Sequence, residues 1–331
     1  MITFYYRTRD HDPLPTSLAM YPAWQEIIAR SGGLIGPACW IVQTFLHLHS
    51  RGYACRLTQD RPSNGVVITH YDDMPAAREE RGSAYWVCVL ADRQNVHPFA
   101  NFHVLQNPYQ TLRTRQPAAH VLHWKQPGIV PRSLSRGELF TNVRFFGERI
   151  SLAAEFSEPD FEQWCDREGF VFQVVPRDRW HDYGDCDAVV GVRNLPSDWV
   201  HDKPPSKLVN AWNAGVPAIL GRESSFRGLG KPGESYLEAS TMEDVKRHLL
   251  TLRDDPQRRQ AIVHAGSTCT GSASDEAVAQ MWINCIDQQI KPRAERWQRH
   301  VTFRLWHRAV ERLLQGLVWR YKLVGTSFGA R

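Results

Sequence analysis

The segment 203–221, KPPSKLVNAWNAGVPAILG, restricts the fold more than any other part of the chain. It reads as a proline-terminated loop, a helix starting near Ser206, a stop at Gly215 and Pro217, and the short apolar strand 218–220. A strand reached through a helix belongs to a parallel sheet, whose neighbouring strands need a crossover. The loop also brings Ser206, Lys207 and unpaired backbone N–H groups to a helix start, where the dipole and the free donors favour an anion. Phosphate is the expected anion. A solvated lysine beside a capping serine is the alternative, and it stays open.

The same alternation runs along the chain. Residues 3–6, 65–69 (GVVIT), 85–90 (YWVCVL), 102–106 and 120–123 are strand candidates, and 37–50 has helical length. A second set follows: strand 142–147 (NVRFFG), helix 158–168, strands 170–175 and 188–192, the helix after Ser206, strand 218–220 and helix 241–253. Between the sets, 123–136 carries two prolines and a glycine and reads as a linker. The expected division is a first Rossmann-like domain over 1–128, a linker over 129–137, a second over 138–292 and a terminal helix over 293–331.

A length of 331 residues accommodates two such domains, each with its own core. Forty Lys and Arg against 35 Asp and Glu give +5, too mild to argue for nucleic acid. The seven cysteines are scattered, without a C-x-x-C pair, which predicts reduced thiols in a cytoplasmic protein and no zinc site. The first residues lack the apolar core of a signal peptide, and no run of eighteen apolar residues occurs.

The pattern K-L-x-x-A-x-x-A-G-x-P-A-I-L from Lys207 to Leu220 resembles the nucleotide-sugar-binding half of GT-B glycosyltransferases. The resemblance implies two doubly wound α/β domains facing each other across a cleft, with a nucleotide sugar as donor. In the large retaining group of that fold two glutamates eight apart bracket this segment; here Asp202 and Asn210 hold those positions, as expected contacts to ribose or base. Arg149, just beyond strand 142–147, would form a clamp on the donor diphosphate with Lys207, Ser206 and Gly147, and Arg193 is a third basic candidate. The loop 221–226 would meet the donor sugar through Glu223, Ser224 and Ser225, unless it is only a helix cap. In the first half the glycine-rich loop carrying Gly32, Gly33 and Gly36 is assigned to the acceptor or the phosphates, with a plain tight turn as the alternative.

Catalytic groups in open α/β sheets gather outside the carboxyl ends of strands, which selects His70 and Asp72 after GVVIT. Either serves as general base if transfer inverts configuration; if it retains, no protein base is needed. Asp92, Arg93 and His97 follow the next strand and form a weaker set. The D-x-D at Asp185-Cys186-Asp187 precedes a strand instead of following one, so it reads as a turn and not as a metal site, and His47 and His49 read as helix-surface residues. No metal and no cofactor are expected.

In 293–331, Trp297, Leu305, Trp306, Leu313 and Leu317 recur near helical spacing among many arginines. Packing back on the first domain and contact with an anionic membrane are both open. Crossing is expected of the first part, and membrane contact of the last. The composite expectation is a cytoplasmic transferase, peripheral on a membrane, acting on a glycan or glycolipid acceptor. The rivals are a non-catalytic glycan-binding or scaffold protein on this fold and a transferase of another activated group, such as a polyol phosphate.

Overall fold

A computed structural model describes residues 1–7, 13–32 and 35–299. The first half forms a six-stranded sheet from β1 (Ile2–Tyr5), β2 (Cys55–Thr58), β3 (Val66–His70), β4 (Tyr85–Val89), β5 (Phe102–Leu105) and β6 (Ala118–His120). The order is β2-β1-β3-β4-β5-β6, with every pair parallel. The uninterrupted apolar runs of β3 and β4 follow from position, since all ten of their residues are buried, one face in the core around β1 and the other under Met74, Phe99 and Ala100. The edge strand β2, CRLT, escaped sequence reading because it is half-exposed and carries no apolar run.

The second half builds a five-stranded parallel sheet from β7 (Asn142–Phe146), β8 (Val171–Val175), β9 (Ala188–Gly191), β10 (Ala218–Leu220) and β11 (Leu237–Glu238), ordered β11-β10-β9-β7-β8. Its helices end where the residues dictate. Gly169 and Gly215 cap Pro159–Glu168 and Ser206–Ala214 in the left-handed region, at φ 75° and 68°, which glycine adopts without a Cβ clash. Thr241 and Asp244 form a reciprocal capping box on Met242–Asp254. The helix Pro256–Cys269 lies so close to Ser206–Ala214 that a Cβ on Gly266 would sit 2.4 Å from Trp212 Cδ1.

In each sheet the chain leaves the first strand in one direction and later continues in the other. The switch points fall between β1 and β3 and between β7 and β9, where ligands bind in open α/β sheets.

The chain returns to the first domain earlier than expected. From Ala273 onward the buried residues Val278, Trp282, Ile286, Ile290 and Ala294 belong to the core around β1, with Trp282 edge-on to Phe4 at 6.4 Å. Arg51 pairs with Glu276 at 2.9 Å and the Tyr53 hydroxyl donates to Asp287 at 2.7 Å. The boundary expected at 293 therefore shifts to about 273, because this stretch supplies the apolar face that covers the first sheet. Helix Lys291–Arg299 continues the packing through Trp297, edge-on to Tyr85 at 5.8 Å. The segment expected to meet a membrane, 317–331, lies outside the described residues.

The D-x-D aspartates hold the linker. Asp187 is buried and receives Arg136 at 2.5 Å, Arg132 at 2.9 Å and the backbone amides of Thr141 and Asn142 at 2.9 and 2.8 Å. Asp185 pairs with Arg144 at 2.8 Å. Burial alone would raise the Asp187 pKa, but the Arg136 guanidinium and the two amides overcome it and hold it below the ordinary value. His47 departs from its expected surface position: it is buried and stacked on Trp124 at 4.0 Å, and burial pushes its pKa down to about 4. All seven cysteines are free thiols.

Because the Asp187 pKa is depressed in the folded chain, its contribution is present above the ordinary carboxylate range and is lost as pH falls through the lowered value. Asp187→Ala removes a buried carboxylate that receives two half-buried guanidiniums and two backbone amides, and should cost about 3 kcal/mol, measured as a lowered urea midpoint at pH 7. A midpoint within error of wild type would remove the linker anchor.

Candidate functional site

A cavity of about 390 Å³ lies between the two sheets. From the first domain it is walled by Gly36, Trp40, His70, Asp72, Asp92 and Arg93, and from the second by Gly147, Arg193, Ser206, Lys207 and Asn210. His70, Asp72, Asp92, Arg93, Gly147 and Arg193 lie at or just past the carboxyl ends of β3, β4, β7 and β9, Ser206, Lys207 and Asn210 on the helix that follows β9, and Gly36 and Trp40 on the helical segment that follows β1. Both switch points open into this one space.

Lys207, in the first turn of Ser206–Ala214, enters the cavity between β7 and β9 because two glycines leave room. A Cβ on Gly191 would sit 2.9 Å from Lys207 Cδ, and one on Gly147 would sit 3.3 Å from Nζ. The amine lies 5.1 Å from the centre of the Phe145 ring and makes no hydrogen bond or ion pair among the described residues. Protein walls it on most sides, and the surface it keeps opens on the cavity. Desolvation, then the neighbouring Arg193 charge, push its pKa down to about 7.

Arg193 donates from Nε to Glu223 Oε1 at 2.8 Å. Glu223 is 2% exposed and its Oε2 has no partner; burial raises its pKa against the pull of Arg193 and Lys207. Lys207 and Glu223 are thus each biased towards neutrality, and an anion in the cavity would restore the charge on Lys207. The N-cap of the helix is Pro205, which supplies no side-chain oxygen, so the first N–H groups lack a side-chain partner.

On the opposite wall, Asp72 accepts a forked bond from Arg93 at 2.7 and 2.8 Å, which occupies the oxygens a base would use. His70 Nδ1 accepts the Asp72 backbone N–H at 3.2 Å, so the neutral ring carries its proton on Nε2. A Cβ on Gly36 would lie 3.6 Å from that nitrogen. His70 thus lines the cleft with its Nδ1 engaged by the Asp72 amide. Asp92 meets Lys203 at 3.1 Å and ties the walls together.

Several expected contacts fall elsewhere. Arg149 is exposed and donates to Ser157, outside the cavity, because the turn after Gly147 directs it away. Asp202 lines a separate cavity, so it does not act with Asn210, whose Oδ1 accepts the Gln126 amide at 2.9 Å and whose side chain lies beside the Tyr183 hydroxyl. Ser224 Oγ is taken by Asn107 at 2.9 Å and by Val200 O at 3.3 Å, a contact between domains. Ser225 is buried, with Oγ unpartnered, and neither serine lines the cavity. Gly32 is an exposed turn residue at φ 77°, Gly33 lies outside the described residues, and Gly36 lines the cleft together with Ile35 and Pro37. His97 donates its backbone N–H to His103 Nε2 at 3.0 Å and is also absent from the lining.

Sequence reading missed Arg177, Trp180 and Tyr183, which wall the cavity beyond β8. Arg177 sits 5.9 Å over the Trp180 ring and Tyr183 stacks on Phe146 at 3.9 Å. The available signal was two aromatics in the polar stretch after a strand, RDRWHDYGD.

No protein-family model matches the sequence, and no curated protein matches it. Its fold is similar to that of sucrose-phosphate synthase from Thermosynechococcus elongatus, with a TM-score of 0.52 and 11% identity over 87% of this chain and 88% of that one. It is also similar to Anabaena HepE in complex with UDP-glucose, with a TM-score of 0.51 and 10% identity over 87% and 99%. The fold is GT-B.

If Gly191 makes room for the lysine stem, Gly191→Ala must displace it. The variant should fold, yet lose about tenfold in affinity for a nucleoside diphosphate by calorimetry, the equivalent of one charge-assisted hydrogen bond. Unchanged affinity would separate the glycine from the site.

Proposed function

We propose that the chain is a glycosyltransferase that moves a sugar from a nucleotide-activated donor to a glycan or glycolipid acceptor. The observation that carries this reading is the unpaired, partly neutralised Lys207 beside Arg193 at the switch point of the second sheet. A diphosphate placed there gains Lys207, Arg193 and the helix start, and these groups stabilise the charge that grows as the nucleoside diphosphate departs. The aromatic wall of Trp180 and Tyr183 suits the nucleobase. His70 lines the same cavity from the other domain. With Asp72 held by Arg93, the arrangement supports transfer that uses no protein base. The basic side chains take the role a divalent ion would have, so activity should survive EDTA. Similarity to a fold whose members include a UDP-glucose complex supports the donor class.

The free thiols support a cytoplasmic setting, and the arginine-rich residues 300–331 support a peripheral one. Deleting 317–331 should abolish flotation with anionic vesicles while leaving nucleotide binding intact; flotation by the shortened chain would assign the surface elsewhere.

The decisive measurement is UDP and UDP-sugar binding against pH, with turnover in parallel. Lys207→Ala should weaken binding about ten- to hundredfold, and Lys207→Arg should recover part of it. A bound diphosphate raises the lysine pKa, so binding takes up a proton above pH 7 and wild-type affinity should fall as pH rises from about 7. Without ligand the sign is opposite for stability: the unfolded chain holds more protons between about 7 and the ordinary lysine value, so stability should rise with pH there. Wild-type affinity in Lys207→Ala would sink the reading, and binding without turnover would leave a non-catalytic carbohydrate-binding protein.

A further inference from the structure

A second cavity, about 740 Å³, adjoins the first, and the chain passes from one lining to the other between Asp202 and Lys203. Both domains wall it: Gln110, Arg113 and Arg115 come from the first, Trp199, His201 and Asp202 from the second. Its charge is unbalanced. Arg113 and Arg115 have no carboxylate partner among the described residues, and Asp202 is the one acid in the lining.

Two polar atoms here are also unanswered. Gln110 is buried, donates from Nε2 to Arg93 O at 3.2 Å, and leaves Oε1 without a partner. His201 Nδ1 is buried and unpartnered as well. A buried acceptor left without a partner is costly unless a ligand or water meets it. Alongside them Tyr109 stacks on His201 at 3.9 Å, and His201 lies parallel to Trp199 at 5.8 Å, a tier of rings reaching across the domain boundary. Trp199 keeps 41% of its surface exposed, with the Arg222 and Arg227 guanidiniums over its ring at 4.9 and 4.6 Å, so a ligand meets the part of the ring they leave open.

A ligand that answers all three features carries negative charge, several hydroxyls and an apolar ring face. We propose that this cavity binds an acidic oligosaccharide, with Arg113 and Arg115 on its carboxylates, Gln110 and His201 on its hydroxyls, and Trp199 against a sugar ring. An acidic peptide answers the guanidiniums and can donate N–H groups to the acceptors, but its backbone offers no apolar ring face. The inference goes beyond glycosyl transfer and does not need it, since the residues are separate from those around Lys207.

The test is calorimetry on the full chain with trigalacturonate, maltotriose, triglutamate and, separately, UDP. Trigalacturonate should bind, more weakly as salt rises, and at least about tenfold more tightly than maltotriose or triglutamate. The double variant Arg113→Gln, Arg115→Gln should lose at least about tenfold for trigalacturonate and keep wild-type UDP affinity. Gln110→Met should weaken trigalacturonate alone. No trigalacturonate binding, equal binding of triglutamate, or full affinity in the double variant would each overturn the proposal. Failure of UDP to bind the wild-type chain would count against the function proposed above and leave this one standing.

Discussion

A lysine amine enters the space between two parallel strands only where the strands give up side-chain volume, and that exchange at Gly147 and Gly191 is what the rest of the site depends on. Parallel sheets seal their faces with branched side chains, and their one repeated opening is at the carboxyl end of a switch point. Here the opening is held by glycines on both neighbouring strands, so the amine of the following helix lies across it. Desolvation then biases that amine towards neutrality, while Glu223 accepts from Arg193 alongside. The result is a pocket short of one anion.

The two domains meet through polar ties. Asp92 meets Lys203, Gln106 Nε2 donates to Asp202 O at 3.3 Å, and Asn107 donates to Lys203 O and to Ser224. These are long bonds between loop ends, of a kind that ligands and water compete with readily. The apolar tie lies elsewhere, in the returning stretch from Ala273. Polar contacts line the cleft, and the hydrophobic seam sits behind it.

Much of this was legible in sequence where one element carried the whole signal. The helix after Ser206, its glycine stop, strand 218–220 and the buried strands β3 and β4 stood out because burial on both faces enforces uninterrupted apolar runs. Arg193 was visible just past such a run, and Lys207 at the proline-terminated start of the helix that follows. Arg149 was misplaced because adjacency in sequence does not say which way a turn directs a side chain. Asp202 was misassigned because spacing of eight residues fixes position on a helix only if both ends are helical, and Asp202 lies in a loop. His70 and Asp72 were found, but their roles depend on a backbone amide and on Arg93, contacts that no linear pattern encodes.

The returning stretch also sets an order of events. Ribosomal synthesis delivers the first sheet long before Val278, Trp282 and Ile286, yet those residues complete the packing around Phe4. Domains emerging early ordinarily fold as they appear. In this chain the domain made first is finished last, after the second domain has been synthesised in full. Its apolar face must wait uncovered through that interval, which makes the nascent chain, more than the finished protein, the state most exposed to aggregation and most dependent on being shielded.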